Sequence, residues 1–280
     1  MEEEKRNTLT LPGAIIIAGT LIAVTVLIKW TPAREQSSVQ VPAKQVVVVV
    51  VDGGHILPLK TEQSLLAQLQ KDGLIDGSKL PQVTELNLLW AFGLANKNNI
   101  LENGPVADLR YGGPMNMASV GGWTVAVGSP ADHMDKHAYV NLTAEQQALV
   151  EKISKGIYRP CCNNSTYFPD CNHGMAMLGL LEYLAGQGAT EDQMWSAALS
   201  ANMAWFPDAY QTIAQYMKQQ GIDGKNISPQ VILGAEYSSA SGFSKISAQV
   251  PQQKKQSSGG CGVDSGVPAS DVPKQPSCGV

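Results

Sequence analysis

The feature that most constrains this chain is an uninterrupted apolar run near its N-terminus. Residues 9–28, from Leu9 to Ile28, contain no charged side chain. A helix of that length rises about 1.5 Å per residue and spans roughly 30 Å, which is the thickness of a bilayer's hydrocarbon core. Lys29 and Trp30 follow at once, a pairing typical of a membrane–water boundary. The run predicts a single transmembrane anchor.

A cleaved signal peptide is the alternative interpretation of this run. Its apolar core would be shorter, and small residues would mark a cleavage site. The residues after Ile28 are Lys-Trp-Thr-Pro-Ala-Arg, which make a poor site, so we favour a retained anchor. Basic residues flank both ends of the run and do not settle its orientation. The short N-terminal stub favours a domain on the outer face of a cell membrane.

The rest of the chain divides by composition. The net charge of −4 is small and the basic residues are scattered, so the sequence predicts no nucleic-acid partner. The C-terminal region is rich in Gln, Ser, Gly, Pro and Lys and lacks the apolar content to fold alone. We predict a stub (1–8), the anchor (9–28), a polar Pro-containing linker (29–44), a soluble helical domain (45–250) and a disordered tail (251–280).

Local signals predict a mainly α domain with a small β element. Thr143 and Thr190 each begin a capping box, with Gln three residues later, which marks a helix N-terminus. Asp170 and Ser228 are further predicted caps, and Pro229 suits the first helical position. The small β element is predicted from an apolar valine run and a short Trp-containing segment: 46–51 and 123–127.

One stretch in the middle of the chain concentrates chemically reactive side chains. Three of the five cysteines and one of four histidines fall within thirteen residues: Cys161, Cys162, Cys171 and His173. Thiolates and neutral imidazoles are the usual ligands of zinc and copper. His133 and His137 stand four apart upstream, and on a helix such a pair lies on one face. We predict a zinc or copper site built from the four clustered residues and assisted by these two histidines.

Other interpretations of the cysteines stay open. Adjacent cysteines do not match the common C-x2-C zinc spacing, and outside the cytoplasm a disulfide from Cys171 to Cys161 or Cys162 competes with a metal. The odd total of five cysteines excludes a fully paired set of disulfides within one chain. Met175 and Met177 are soft donors that copper(I) accepts, or else core residues of a helix.

Two resemblances bear on this stretch. Asp170-Cys171-x-x-Gly174 before an apolar helix resembles the catalytic helix start of NlpC/P60-type cell-wall peptidases, which implies Cys171 as a nucleophile. Those enzymes place a base histidine downstream, whereas this chain has no histidine after His173. Residues 158–186 and 205–208 are also similar to membrane-anchored proteins of uncultivated bacteria, a group without an assigned activity; that similarity implies a bacterial origin and an anchor.

The predicted anchor has a direct test. Protease added to intact cells should digest the domain and leave the N-terminal stub protected, because the membrane shields only the anchor and what lies behind it. Immunoblotting with tags at the two ends measures this. A domain that stays intact until the cells are lysed would reverse the orientation.

Overall fold

The computed structural model describes residues 56–123, 125–224 and 226–250, and all of these belong to one compact unit. This part of the chain is 64% helical, as the sequence predicts. The helices of its first half are α1 (Leu59–Lys71), α2 (Glu85–Ala95), α3 (Asn99–Asn103), α4 (Ala118–Gly121) and α5 (Ala144–Ser154). Those of its second half are α6 (Asn172–Gly186), α7 (Glu191–Trp205), α8 (Pro207–Gln219), α9 (Pro229–Leu233), α10 (Ala235–Ser238) and α11 (Ala240–Ser247).

Helices α2 and α6 form the centre of the fold and share its most extensive helix–helix contact. At the crossing point Gly93 of α2 faces Gly179 of α6. A Cβ added to Gly93 would lie 2.3 Å from the Met175 carbonyl oxygen, and one added to Gly179 would lie 2.3 Å from the Leu89 carbonyl oxygen. Only residues without a Cβ permit backbones to approach this closely. The crossing fixes α6 against α2.

Apolar side chains surround this helix pair on all sides. Helix α2 buries nine of its eleven residues, including the fully buried Trp90, so it is a core helix that is buried on every face. Met175 and Met177 of α6 are both 0% exposed and belong to the same core cluster. Of the two roles that the sequence left open for these methionines, the structure gives them that of core residues. A smaller cluster gathers under α8–α11, around Tyr210, Ile213 and Met217.

The predicted helix starts are confirmed at two positions and wrong at a third. Thr143 and Thr190 cap α5 and α7 through complete capping boxes. Pro229 begins α9 as predicted, although the Ser228 side chain makes no capping hydrogen bond there. Asp170 does not cap α6: the N-cap is Cys171, whose sulfur accepts a hydrogen bond from the Gly174 amide. The predicted metal ligand is therefore also the residue that begins the helix.

The predicted β element is not found in the part of the chain that the structure describes. The segment 123–127 makes two backbone hydrogen bonds with the turn after α1, from Val127 to the Gly73 carbonyl and from Asp76 to the Val125 carbonyl. Among the described residues of this segment the bonds do not continue into a ladder, so the predicted strand is not found there. One isolated bridge joins Asn96 to His137. The predicted strand 46–51 lies outside the described residues.

The predicted anchor, linker and tail also lie outside the described residues. Among the helices that the structure does describe, none has the length and apolar character needed to cross a bilayer. The membrane predictions therefore rest on the sequence.

A buried acid joins the central pair to the loop before α5. Glu182 of α6 is 0% exposed, and its carboxyl accepts a 2.6 Å hydrogen bond from the Asn96 side-chain amide. The side-chain oxygen Oδ1 of Asn96 in turn accepts a hydrogen bond from the Val140 amide. Burial raises the pKa of Glu182 well above its ordinary value, which favours the neutral form of this side chain inside the core.

The glycine crossing predicts a large effect of a single methyl group. Gly93→Ala should lower the free energy of unfolding by about 3 kcal/mol, because the new Cβ meets backbone atoms that cannot move aside. Gly121→Ala is the matched control, since a Cβ at this exposed helical position meets nothing within 4 Å. Urea denaturation measures both. Equal midpoints for the two variants would contradict the close crossing.

Candidate metal centre

Three cysteine sulfurs form a compact triangle at the N-terminus of α6. The Sγ atoms of Cys162 and Cys171 lie 3.5 Å apart, those of Cys161 and Cys171 3.7 Å, and those of Cys161 and Cys162 3.9 Å. All three are free thiols in this structure. They are the one group of three or more potential ligands in the described chain whose ligand atoms lie within 4.8 Å of one another. The sequence prediction that a loop brings these cysteines together is confirmed.

Backbone hydrogen bonds hold the cysteine loop in this shape. The Thr166 amide donates to the Ile157 carbonyl, and the Cys162 amide donates to the Arg159 carbonyl, which turns the chain back toward α6. The loop is also attached to the C-terminal helices, because the Ala240 amide donates to the Cys162 carbonyl. These hydrogen bonds fix the path of the loop that carries the triangle.

A fully buried arginine lies against two of the sulfurs. Arg159 is 0% exposed, and its Nη2 donates to the Cys162 sulfur at 3.1 Å and to the Cys171 sulfur at 3.7 Å. Its other hydrogen bonds go to the Thr166 hydroxyl, at 2.9 Å, and the Asn164 carbonyl, at 3.1 Å. The cysteines keep partial solvent exposure, so the guanidinium lies on the inner side of the triangle. A buried cation requires anionic partners, and the two sulfurs are the ionisable groups that accept its hydrogen bonds.

The three thiols differ in acidity. Hydrogen bonds from Cys161 and Cys162, together with the charge of Arg159, hold the pKa of Cys171 well below its ordinary value despite burial. The pKa of Cys161 is raised, because this thiol donates to its two neighbours and is buried. For Cys162 the hydrogen bond from Cys161 lowers the pKa, but donation to Cys171 and burial outweigh it and the net shift is upward. Of the three, Cys171 is therefore the thiol that ionises most readily.

The sulfurs in turn affect the pKa of the arginine. Burial lowers the pKa of Arg159, but the charges of Cys171, Cys162 and Cys161 outweigh that effect and raise it. The guanidinium is therefore a permanent positive charge at the base of the triangle.

The geometry of the triangle suits a metal ion. Four sulfurs at about 2.3 Å from zinc in a tetrahedron lie about 3.8 Å from one another. The observed separations of 3.5, 3.7 and 3.9 Å are close to this value. Three thiolates and one guanidinium carry a combined charge of about −2 by their ordinary ionisation states, which a divalent ion neutralises. The three sulfurs thus fit one face of a tetrahedral site whose fourth position they leave unfilled.

The predicted fourth ligand, His173, lies among aromatic side chains. Its ring centroid is 4.6 Å from that of Phe206, 5.8 Å from that of Trp123 and 6.1 Å from that of Trp205. Burial lowers its pKa, which favours the neutral imidazole. Its ring nitrogens are not among the ligand atoms gathered within 4.8 Å.

His133 and His137 meet each other elsewhere. The Nδ1 atom of His133 lies 3.3 Å from Nε2 of His137, and the Nδ1 atom of His137 lies 3.7 Å from the Asp72 carboxylate. The Tyr139 hydroxyl donates to the same carboxylate at 2.9 Å. The pair is not on an α-helix, because a short 3-10 helix ends at His133 and Asp135 has a positive φ. These histidines form a pair of their own, and the sulfur group does not include them.

Sequence reasoning missed Arg159. The available signal was that this is the one charged residue between Lys155 and Asp170, inside the stretch that carries the cysteines. A single charge in an otherwise neutral loop becomes informative only when its burial is known.

No protein-family model, curated protein or solved structure matches this chain.

The unequal acidity of the thiols predicts a distinct titration. The measurement compares the ultraviolet thiolate absorbance of wild type with that of Cys171→Ser, both reduced and metal-free. Wild type should absorb more, and this difference should remain as the pH falls well below 8.5, the ordinary thiol pKa. The reason is that Arg159 and the neighbouring donors stabilise the Cys171 anion. Cys261→Ser is the control for removal of one thiol outside the described residues. A Cys171 signal lost near pH 8.5 would contradict the assignment.

Proposed function

We propose that this chain is a membrane-anchored, extracytoplasmic metal-binding protein whose ligands are Cys161, Cys162 and Cys171. The observation that supports the proposal most is the sulfur triangle, with edges of 3.5–3.9 Å, built into a rigid loop. Zinc is the metal we favour over copper. Zinc thiolate distances suit the triangle, and a divalent charge balances three thiolates against one buried guanidinium.

Within the part of the chain that the structure describes, no fourth ligand atom joins the three sulfurs, which favours a carrier or sensing role over a purely structural one. Structural zinc sites are closed by four protein ligands, whereas sites that exchange ligands keep one position free. The three cysteines retain solvent exposure, so an incoming ligand can reach a metal bound there. When bound, zinc would supply a Lewis-acidic centre to which a fourth donor can add and from which it can leave.

A cysteine hydrolase is the other proposal that the sequence raised, and the described contacts give it less support. The sulfur of Cys171 is surrounded by two thiols, a guanidinium and a backbone amide. A hydrolase of that kind also needs a general acid beside the thiolate to protonate the leaving group. His173 contacts aromatic rings, and His133 is paired with His137.

Metal binding predicts a clear stoichiometry. The full chain purified without chelator and kept reduced should hold one zinc, measured by elemental analysis. Cys171→Ser should weaken zinc affinity by more than the 10–100-fold, roughly, that loss of an outer-shell partner costs. Affinity should also fall as the pH is lowered, because zinc must displace the protons of Cys161 and Cys162, whose pKa values are raised.

Matched controls test the ligand set. Cys261→Ser removes a thiol outside the triangle and should leave zinc affinity unchanged. His173→Ala and His137→Ala ask whether either imidazole supplies the fourth ligand. Copper(I) titrated in competition with zinc tests the choice of metal. The proposal would be overturned if reduced wild-type protein held substoichiometric zinc and copper(I) did not compete for the site.

A further inference from the structure

The sulfur triangle has a second chemical capability that does not require a metal. Cys171 lies at the N-terminus of the 15-residue helix α6, where its sulfur accepts the Gly174 amide at 3.4 Å and the Arg159 guanidinium at 3.7 Å. Helix N-termini and neighbouring cations both favour a thiolate over a thiol. A stabilised thiolate with partial solvent exposure is the form of cysteine that reacts with small oxidants.

A second thiol is already placed to complete such a reaction. The Cys162 sulfur lies 3.5 Å from that of Cys171 and touches the same guanidinium nitrogen. A disulfide requires the sulfurs to close to about 2.05 Å, a movement of less than 2 Å that side-chain rotation in a loop can supply. Cys161, at 3.7 Å from Cys171, is the next candidate.

We propose that the metal-free cluster is a reversible redox centre in which a hydroperoxide drives formation of a Cys171–Cys162 disulfide. The Cys171 thiolate attacks the terminal peroxide oxygen, the O–O bond breaks, and the alcohol or water leaves with a proton. Cys171 is then a sulfenic acid. The Cys162 sulfur attacks it, forming the S–S bond and releasing water. The two thiols give up two electrons, and the peroxide accepts them.

The buried arginine makes this disulfide easy to reduce. In the reduced state Arg159 donates to two separate sulfurs, Cys162 at 3.1 Å and Cys171 at 3.7 Å, and joining these sulfurs in a disulfide makes both of them weaker acceptors. Arg159 is 0% exposed, so water cannot replace these weakened acceptors, and its remaining acceptors are the neutral Thr166 hydroxyl and Asn164 carbonyl. A centre whose reduced form is stabilised in this way has a more oxidising potential than a structural disulfide. The structure thus favours a labile bond over the permanent one that the sequence left open.

Oxidation and metal binding compete for the same sulfurs. The disulfide would consume two of the three proposed ligands and leave Cys161 alone, so a metal bound to the cluster should slow the peroxide reaction. The redox inference does not depend on the metal proposal, because each is measured with the other partner absent.

The first experiment follows peroxide oxidation of the full chain carrying Cys261→Ser and Cys278→Ser, reduced and treated with chelator. Hydrogen peroxide should remove two thiols, and peptide mapping should find Cys162 joined to Cys171. Cys171→Ser in the same background should react about tenfold or more slowly, as an ordinary thiol does. Oxidation of Cys171→Ser at the wild-type rate, or a bond between Cys161 and Cys162, would overturn the proposal.

A sulfenic-acid probe tests the order of steps. In Cys162→Ser the probe should label Cys171, because the resolving thiol at 3.5 Å is missing, and Cys161 should resolve it more slowly. In Cys161→Ser the Cys162–Cys171 disulfide should still form although one metal ligand is gone. That variant separates the two proposals, since failure to bind zinc and failure to oxidise are read independently.

The second experiment equilibrates the oxidised chain with glutathione buffers. The wild-type disulfide should be reduced readily. Arg159→Met should shift the equilibrium toward the disulfide by about tenfold, equivalent to roughly 30 mV, and Arg159→Lys should restore most of the difference. Circular dichroism checks that each variant is folded, and Arg159→Lys keeps the test valid if the methionine variant is not. A wild-type disulfide that resists glutathione would show a structural bond instead.

Discussion

The close approach of α2 and α6 is the constraint on which the rest of this structure depends. Gly93 and Gly179 bring the two backbones into direct contact, and the axis of α6 is thereby fixed inside the core. The N-terminus of α6 is where Cys171 stands. A shift of that helix would move one sulfur of the triangle while the loop that carries Cys161 and Cys162 stayed attached to other elements. The chemistry at the surface is therefore set by packing in the centre.

Burial of Arg159 is the second organising interaction. A guanidinium removed from water must find acceptors, and the loop supplies two neutral oxygens and two sulfurs. The same contacts that neutralise the arginine draw the sulfurs together and favour ionisation of Cys171. This side chain thus adds to the hydrogen bonds among the thiols in lowering the pKa of Cys171, and it is the group on which the proposed ease of disulfide reduction depends.

The sequence predicted the helical class and the gathering of three cysteines because both follow from local patterns. The capping boxes at Thr143 and Thr190 involve residues within four positions of each other, and the turn between Cys162 and Cys171 also joins residues that are close in sequence. The missed features depend on distant partners. Segment 123–127 is not a strand because its neighbour is a turn, and the role of Arg159 follows from burial that periodicity does not reveal. The separation of His133 and His137 from the sulfurs is likewise a tertiary outcome.

Among the described residues, the side-chain and backbone acceptors of the Arg159 guanidinium lie between residues 162 and 171. The segment from Arg159 to Gly174 accordingly carries the sulfur ligands, their counter-charge and the first turn of the helix that completes them. The segment therefore brings its own counter-charge, but the burial that makes this charge effective comes from the elements around it, to which the Ala240 and Ser119 amides attach it.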